Sequence, residues 1–142
     1  MSDLEALVVR LSSLTTRRDG LSRTAAATLA RLATVGPTRL TELATAEEVS
    51  QPAMSSLAAR LVDQRLVDRG SDPQDARVVL LSLTPAGEDV VAQRRDARTA
   101  RLDAALAGLS PDDVTHIADA VPALNRLADA LRRSSTPAEV IR

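Results

Sequence analysis

Ser50, Gln51, Ser55 and Ser56 bring hydroxyls and one carboxamide together within two turns of a predicted helix. A glutamine carboxamide can pair with an adenine edge. A serine at a helix start, with the free N–H groups of the first turn, can hold a phosphate. Further on, Arg60, Arg65, Arg69 and Arg77 are interspersed with Asp63, Asp68, Asp72 and Asp75. Every arginine offers a planar fork that fits phosphate or guanine. The bland reading is equally physical: Ser50 is a cap, the other serines are solvated, and Arg60 is a solvated arginine.

Other chemistries find little support. The chain has no cysteine, which removes disulfides, thiol nucleophiles and thiol-based redox sensing. His116 is the single histidine, and a zinc site built on it would need carboxylates throughout. Glu47-Glu48 and Asp112-Asp113 could be read as acid/base pairs, but each falls at a turn or helix start, where carboxylates favour the helix dipole. No nucleophile, phosphate loop or metal spacing accompanies them, so no enzyme, metal or cofactor is expected.

The elements that must position these residues follow from periodicity. Leu4, Leu7, Leu11 and Leu14 make a narrow coiled-coil-like seam on a helix over 3–18, ended by Asp19-Gly20. Ser22 caps a helix over 23–35 with Ala25, Leu29, Leu32 and Ala33 inward, stopped by Gly36-Pro37. Thr38 caps a short helix over 39–46, with Leu40 and Leu43 facing inward. Ser50 caps a fourth over 51–64, with Pro52 tolerated in its first turn. There Met54, Leu57, Ala58 and Leu61 share one face, which leaves Gln51, Ser55, Ser56, Ala59 and Asp63 outward. A short strand at 66–69, a polar loop from Gly70 to Asp75 and a β-branched run at 78–83 then form a hairpin with a long tip. Thr84-Pro85 opens a polar fifth helix that runs to about 107 and is suited to bridging. Ser110 to Asp113 resembles a capping box for a sixth helix. Its Val114, Ile117, Val121, Leu124, Ala128 and Leu131 repeat the seam spacing, and a frayed tail covers 134–142.

The chain is 142 residues long and 44% hydrophobic, with no Phe, Trp or Tyr, a composition suited to helix packing. Nothing approaches the roughly 20 apolar residues of a membrane span, and no signal peptide is evident, so a soluble cytoplasmic protein is expected. All 18 basic residues are arginine and the net charge is −1. This balance argues mildly against indiscriminate polyanion binding, and a DNA surface would need charges sorted in three dimensions. The predicted fold is mainly α with a small β-hairpin wing.

The order helix, short connection, helix, hairpin over 38–83 is that of a winged helix-turn-helix, whose second helix enters a major groove by its N-terminal end. The run Val67-Asp68-Arg69, Asp72-Pro73-Gln74-Asp75-Ala76-Arg77 and Leu83-Thr84-Pro85-Ala86-Gly87 resembles the wing signature of the MarR family of bacterial regulators. Val49-Ser50-Gln51-Pro52 with Leu57 and Leu61 is similar to that family's recognition helix. The resemblance implies a homodimeric regulator of double-stranded DNA, a repressor by default, on a pseudo-palindromic operator. Segments 1–20 and 108–142 would dimerise, 21–85 would bind DNA and 85–107 would connect them.

Among residues, the resemblance implies Arg77 in the minor groove with Asp75 orienting it by an ion pair. Arg69 would touch the DNA backbone, and Thr38, Arg39 and Arg60 would lie near phosphates. Ser50, Gln51, Pro52, Ser55 and Ser56 would present the recognition surface. It also implies a small-molecule effector, often an aromatic acid, with Arg10, Arg17 or Arg18 as equally eligible carboxylate partners. The sequence departs from the family where Gln51 and Ser56 replace bulkier or basic residues, where Gln74 and Ala76 thin the wing tip, and where Arg65 replaces glycine. Two alternatives stand beside this reading: an interaction module that kept the fold without DNA binding, and a small-molecule binding protein.

Overall fold

The structure, a computed structural model, describes residues 3–14 and 20–135. Residues 15–18 of the predicted first helix, its Asp19 stop and the predicted tail beyond Ser135 lie outside the described residues. The chain divides into two compact units, residues 1–98 and 99–142. Its elements are α1 (Asp3–Leu14), α2 (Arg23–Val35), β1 (Thr38–Arg39), α3 (Leu40–Ala46), α4 (Gln51–Asp63), β2 (Val67–Asp72), β3 (Asp75–Leu83), α5 (Pro85–Ala107) and α6 (Pro111–Ser135). The fold is mainly helical with one small antiparallel sheet in the order β1-β3-β2.

The core of the first unit is a cluster of small and branched side chains. Leu29 and Leu32 of α2, Leu43 and Ala44 of α3, and Met54, Leu57, Ala58 and Leu61 of α4 are buried together with Val67 and Leu81 of the hairpin. The helix caps that organise it are those the sequence predicts. The Ser22 hydroxyl accepts from the Ala25 N–H at 3.1 Å, and the Ser50 hydroxyl accepts from the Ala53 N–H at 3.3 Å. On α2 the buried stripe is Ala25, Thr28, Leu29 and Leu32, whereas Ala33, expected inside, is exposed. The spacing 25, 28, 29, 32 keeps one helical face, and position 33 has already turned past it.

Thr38 is not the cap of α3. It belongs to β1, pairs with Leu81 and gives its hydroxyl hydrogen to the Gly36 carbonyl at 2.9 Å. Arg39 occupies the cap position without a side-chain cap bond. A strand of two residues has no periodicity to read, which is why β1 is invisible in the sequence. The hairpin also differs from expectation. Its strands run to the tip, leaving only Pro73 and Gln74 between them, and β3 carries an irregularity where Ser71 pairs with Val79 and Asp72 with Asp75. The polar run read as a loop is therefore largely strand.

Both ends of α4 are set by the same device. At the end of α3, Glu48 adopts φ 53°, its N–H reaches the Thr45 carbonyl, and the Val49 N–H reaches that of Ala44. At the end of α4, Arg65 adopts φ 59°, its N–H reaches the Val62 carbonyl at 2.8 Å and the Leu66 N–H reaches that of Leu61 at 2.9 Å. Each is a Schellman motif, whose left-handed position favours glycine. Here a glutamate and an arginine hold those positions at a steric cost of about 1 kcal/mol each.

The exit from α4 is then tied to the start of α5. The Thr84 hydroxyl donates to the Arg65 carbonyl at 2.6 Å and accepts from the Gly87 N–H at 3.0 Å, and the Thr84 N–H donates to the Leu66 carbonyl at 3.2 Å. Gly87 is buried, and a side chain there would strike the Leu66 carbonyl oxygen.

In the second unit, the Ser110 hydroxyl accepts from the Asp113 N–H at 3.1 Å and donates to the Asp113 carboxylate at 2.7 Å, a tighter variant of the predicted capping box. α6 is assigned as one helix through Pro122. Its Ile117, Val121, Leu124 and Leu131 are exposed, as are Leu4, Leu7, Val8 and Leu11 of α1. Among the described residues, no helix is long and apolar enough to cross a membrane.

Two glycine exchanges are expected to have opposite signs. Arg65→Gly relieves the left-handed position and should raise unfolding free energy by about 1 kcal/mol. Gly87→Ala forces the α5 start away from Leu66 and should lower it by about 1–3 kcal/mol. Denaturant midpoints of the two variants against the parent check both.

Candidate nucleic-acid interface

α4 buries Met54, Leu57, Ala58 and Leu61, so its remaining positions face outward by geometry alone. Gln51, Pro52, Ser56 and Arg60 are exposed, and Ser55 is half-buried. Ser50 is exposed as well, with its hydroxyl accepting from the first turn. The helix thus offers solvent a first turn of short polar groups. Arg60 borders a shallow cleft of about 140 Å³ shared with Ser22, Thr24, Val49 and Ala53. It lies where the start of α2 meets α4.

The hairpin beside this helix carries Arg69 and Arg77, both exposed and without an ion pair to any described residue. The expected Asp75–Arg77 ion pair is absent. The Asp75 carboxylate instead accepts the Arg77 backbone N–H at 3.0 Å, which fixes the chain at the tip and leaves the guanidinium unpaired. Thr38 is buried, and its hydroxyl donates to the Gly36 carbonyl.

The ion pair of the wing is one that sequence reasoning missed. Nε and Nη2 of Arg39 both donate to Oδ2 of Asp72, at 3.0 and 2.7 Å, while Oδ1 of Asp72 accepts the Gln74 N–H at 2.9 Å. The Gln74 N–H, and then the Arg39 guanidinium, hold the Asp72 carboxyl below the usual carboxylate range, against a weaker opposing effect of burial. Asp-Pro at the tip was the available signal for Asp72, since an aspartate before a turn commonly accepts the N–H two residues on. Its pairing with Arg39 depends on β1, and so could not be read.

A second cleft, of about 290 Å³ and open to solvent, is lined by Gly20, Leu21, Gln64, Leu66, Val90, Gln93 and Arg94. Of the arginines proposed for a carboxylate, Arg10 does not line it, and Arg17 and Arg18 lie outside the described residues.

These features define a winged helix-turn-helix: α3 and α4 joined by a tight left-handed turn, followed by a hairpin whose middle strand pairs with β1. A model of the MarR family matches residues 19–78. The HTH-type transcriptional regulator MT0903.1 of Mycobacterium tuberculosis is 33% identical over 131 residues, spanning 90% of this chain and 92% of its own. The crystal structure of RV1404 from Mycobacterium tuberculosis superposes with TM-score 0.78 at 26% identity, over 87% of this chain and 89% of its own. YusO from Bacillus subtilis superposes with TM-score 0.73 at 25% identity, again over 87% and 89%.

The chain belongs to the MarR family and is a DNA-binding transcriptional regulator of that family. The glycine that the family favours at position 65 is explained by the φ of 59° found there.

The lowered Asp72 value fixes the sign of an acid effect. A carboxylate whose folded value is depressed contributes stability above its unfolded value, about 3.9, and loses it as pH falls through the folded value. The wing tip should therefore be insensitive to pH near neutrality and loosen only in strong acid. Hydrogen exchange of the Gln74 amide reads this, and Asp72→Asn should remove the acid limb.

Proposed function

We propose that this regulator represses transcription as a homodimer bound to a pseudo-palindromic operator. The observation that carries the reading is the pairing of a polar first turn on α4 with two unpaired arginines on the adjoining hairpin. In this reading Gln51, Ser55 and Ser56 face base edges, and Ser50 with the first-turn N–H groups meets a phosphate. Pro52 keeps that turn rigid. Arg77 enters the minor groove, where a narrow groove concentrates negative potential. Arg69 and Arg60 lie toward the DNA backbone. Thr38, buried and with its hydroxyl donating to the Gly36 carbonyl, is left out of the contacts in this reading.

The exposed apolar side chains of α1 and α6 support the dimer, since rows of leucine and valine at helical spacing call for a partner. Two such units would present recognition helices about 34–36 Å apart, to successive major grooves. If an effector acts here, the open 290 Å³ cleft would set a small carboxylic acid beside Arg94, Gln64 and Gln93.

The test is fluorescence anisotropy on the upstream promoter DNA over a range of salt, beside Arg77→Ala. Wild type should bind in a sequence-dependent way with a steep salt slope. Loss of one phosphate-proximal cation should reduce the magnitude of that slope by about 0.9. No preference for any duplex at any salt, with the variant indistinguishable from wild type, would favour the interaction-module reading.

A further inference from the structure

We infer that the Arg39–Asp72 ion pair is a positioning latch that sets the wing against the helix-turn-helix, so that Arg39 serves the protein and not a phosphate. The two residues come from distant parts of the chain. Arg39 is the last residue of β1 and immediately precedes α3, whereas Asp72 closes β2 at the wing tip. The sheet brings them to one face: Arg39 pairs with Leu80, Leu80 pairs with Gly70, and Asp72 lies two residues along from Gly70. Residues opposite one another across strands share a face, as do alternate residues along one strand. The Arg39 side chain thus runs over the central strand to the far strand.

The carboxylate is fully engaged by this arrangement. One oxygen receives both guanidinium hydrogens and the other receives the Gln74 N–H. The first contact ties the tip to the start of α3, and the second holds the turn itself. The side chain of Asp72 is 10% exposed and that of Arg39 44% exposed, so the anion is sheltered while the cation retains one open edge. Arg77 is three residues beyond Gln74 on the irregular part of β3, a segment that pairs with no residue of β2. With no cross-strand partner there, the reach of Arg77 depends on how the tip is anchored: Asp75 holds the Arg77 N–H locally, and Asp72 ties the tip to the start of α3.

The consequence for DNA rests on the function proposed above; the latch itself does not. With Arg39 paired internally, the cations left for DNA on the sheet are Arg69 and Arg77. Preset geometry at the tip favours an operator over an arbitrary duplex, because a wing already in place loses less freedom on binding.

The latch is tested first without DNA. The chain has no cysteine, so Gln74→Cys accepts a single nitroxide label on the tip. Asp72→Asn keeps an oxygen for the Gln74 N–H and removes only the ion pair; Arg39→Gln removes the same pair from the other side. Both should increase label mobility by the same amount, and the double variant should increase it no further. Spectra unchanged from the parent would overturn the latch.

The second measurement is the ratio of operator to scrambled-duplex affinity at one salt concentration, which cancels the change in overall charge. Each single variant and the double should lower this ratio by the same factor, about two- to fivefold for a partly exposed pair, and Arg39→Gln should leave the salt slope unchanged. A slope reduced by about 0.9 in Arg39→Gln would make Arg39 a phosphate contact and overturn its assignment. Factors that multiply in the double variant would show independent roles and overturn the coupling. Were the parent to bind no duplex selectively, the function proposed above would fall while the label mobility still decided the latch.

Discussion

A helix that reads a partner must be held from behind, and here the holding is done by Met54, Leu57, Ala58 and Leu61. Their spacing gathers four side chains on one face of α4, all buried against α2, α3 and the hairpin. Truncating a leucine in such a place costs about 2–5 kcal/mol. The outward serines and glutamine contribute little to stability, so they do not decide how the helix sits. The solvent face of α4 is what remains once the core has fixed its rotation. This separates the two demands on the helix: the apolar face determines its pose, and the polar face is left to recognition.

The pose also needs a defined entry and exit, and both run through left-handed residues. Glu48 and Arg65 each accept about 1 kcal/mol of steric cost, a small sum beside the core they permit. The exit leads directly into a knot of backbone contacts. Arg65 and Leu66 give their carbonyls to Thr84, and Thr84 in turn caps the turn that contains Gly87. The Leu-Thr-x-x-Gly run is therefore mechanical. It fastens the end of α4, the base of the wing and the start of α5 at one point. Glycine is required there because a carbonyl oxygen occupies the space of a side chain.

Much of this was legible because it is local. Caps at Ser22, Ser50, Thr84 and Ser110 are read from one residue and its next three, and helix faces are read from a period. The core positions of α4 follow from that period alone. What was not legible depends on contacts across the chain or on strands too short to show a pattern. β1 is only Thr38 and Arg39, so Thr38 looked like a cap and Arg39 like a free cation. The polar wing residues looked like a loop because strand patterning assumes a buried face, and a hairpin that projects into solvent has little to bury. The Asp75 carboxylate takes the backbone N–H of Arg77 and not its guanidinium, a contact set by turn geometry that charge alone does not reveal.

The distribution of charge links fold to function most directly. With a net charge of −1, the chain cannot rely on bulk attraction to DNA. Asp72 neutralises Arg39 and Glu47 pairs with Arg31, so two arginines near the helix-turn-helix are held within the protein. Arg60, Arg69 and Arg77 have no ion pair to a described residue. Arg23 and Arg65 are likewise exposed with no ion pair to a described residue, so the placement of these cations, and not their number, decides how many counterions a bound duplex would displace. Under the function proposed above, discrimination would come from geometry: short side chains on α4 that let the backbone approach base edges, and a wing whose tip is held before it meets a groove. On that reading, selectivity would rest on where each contact is held by the fold, since the net charge supplies no bulk attraction.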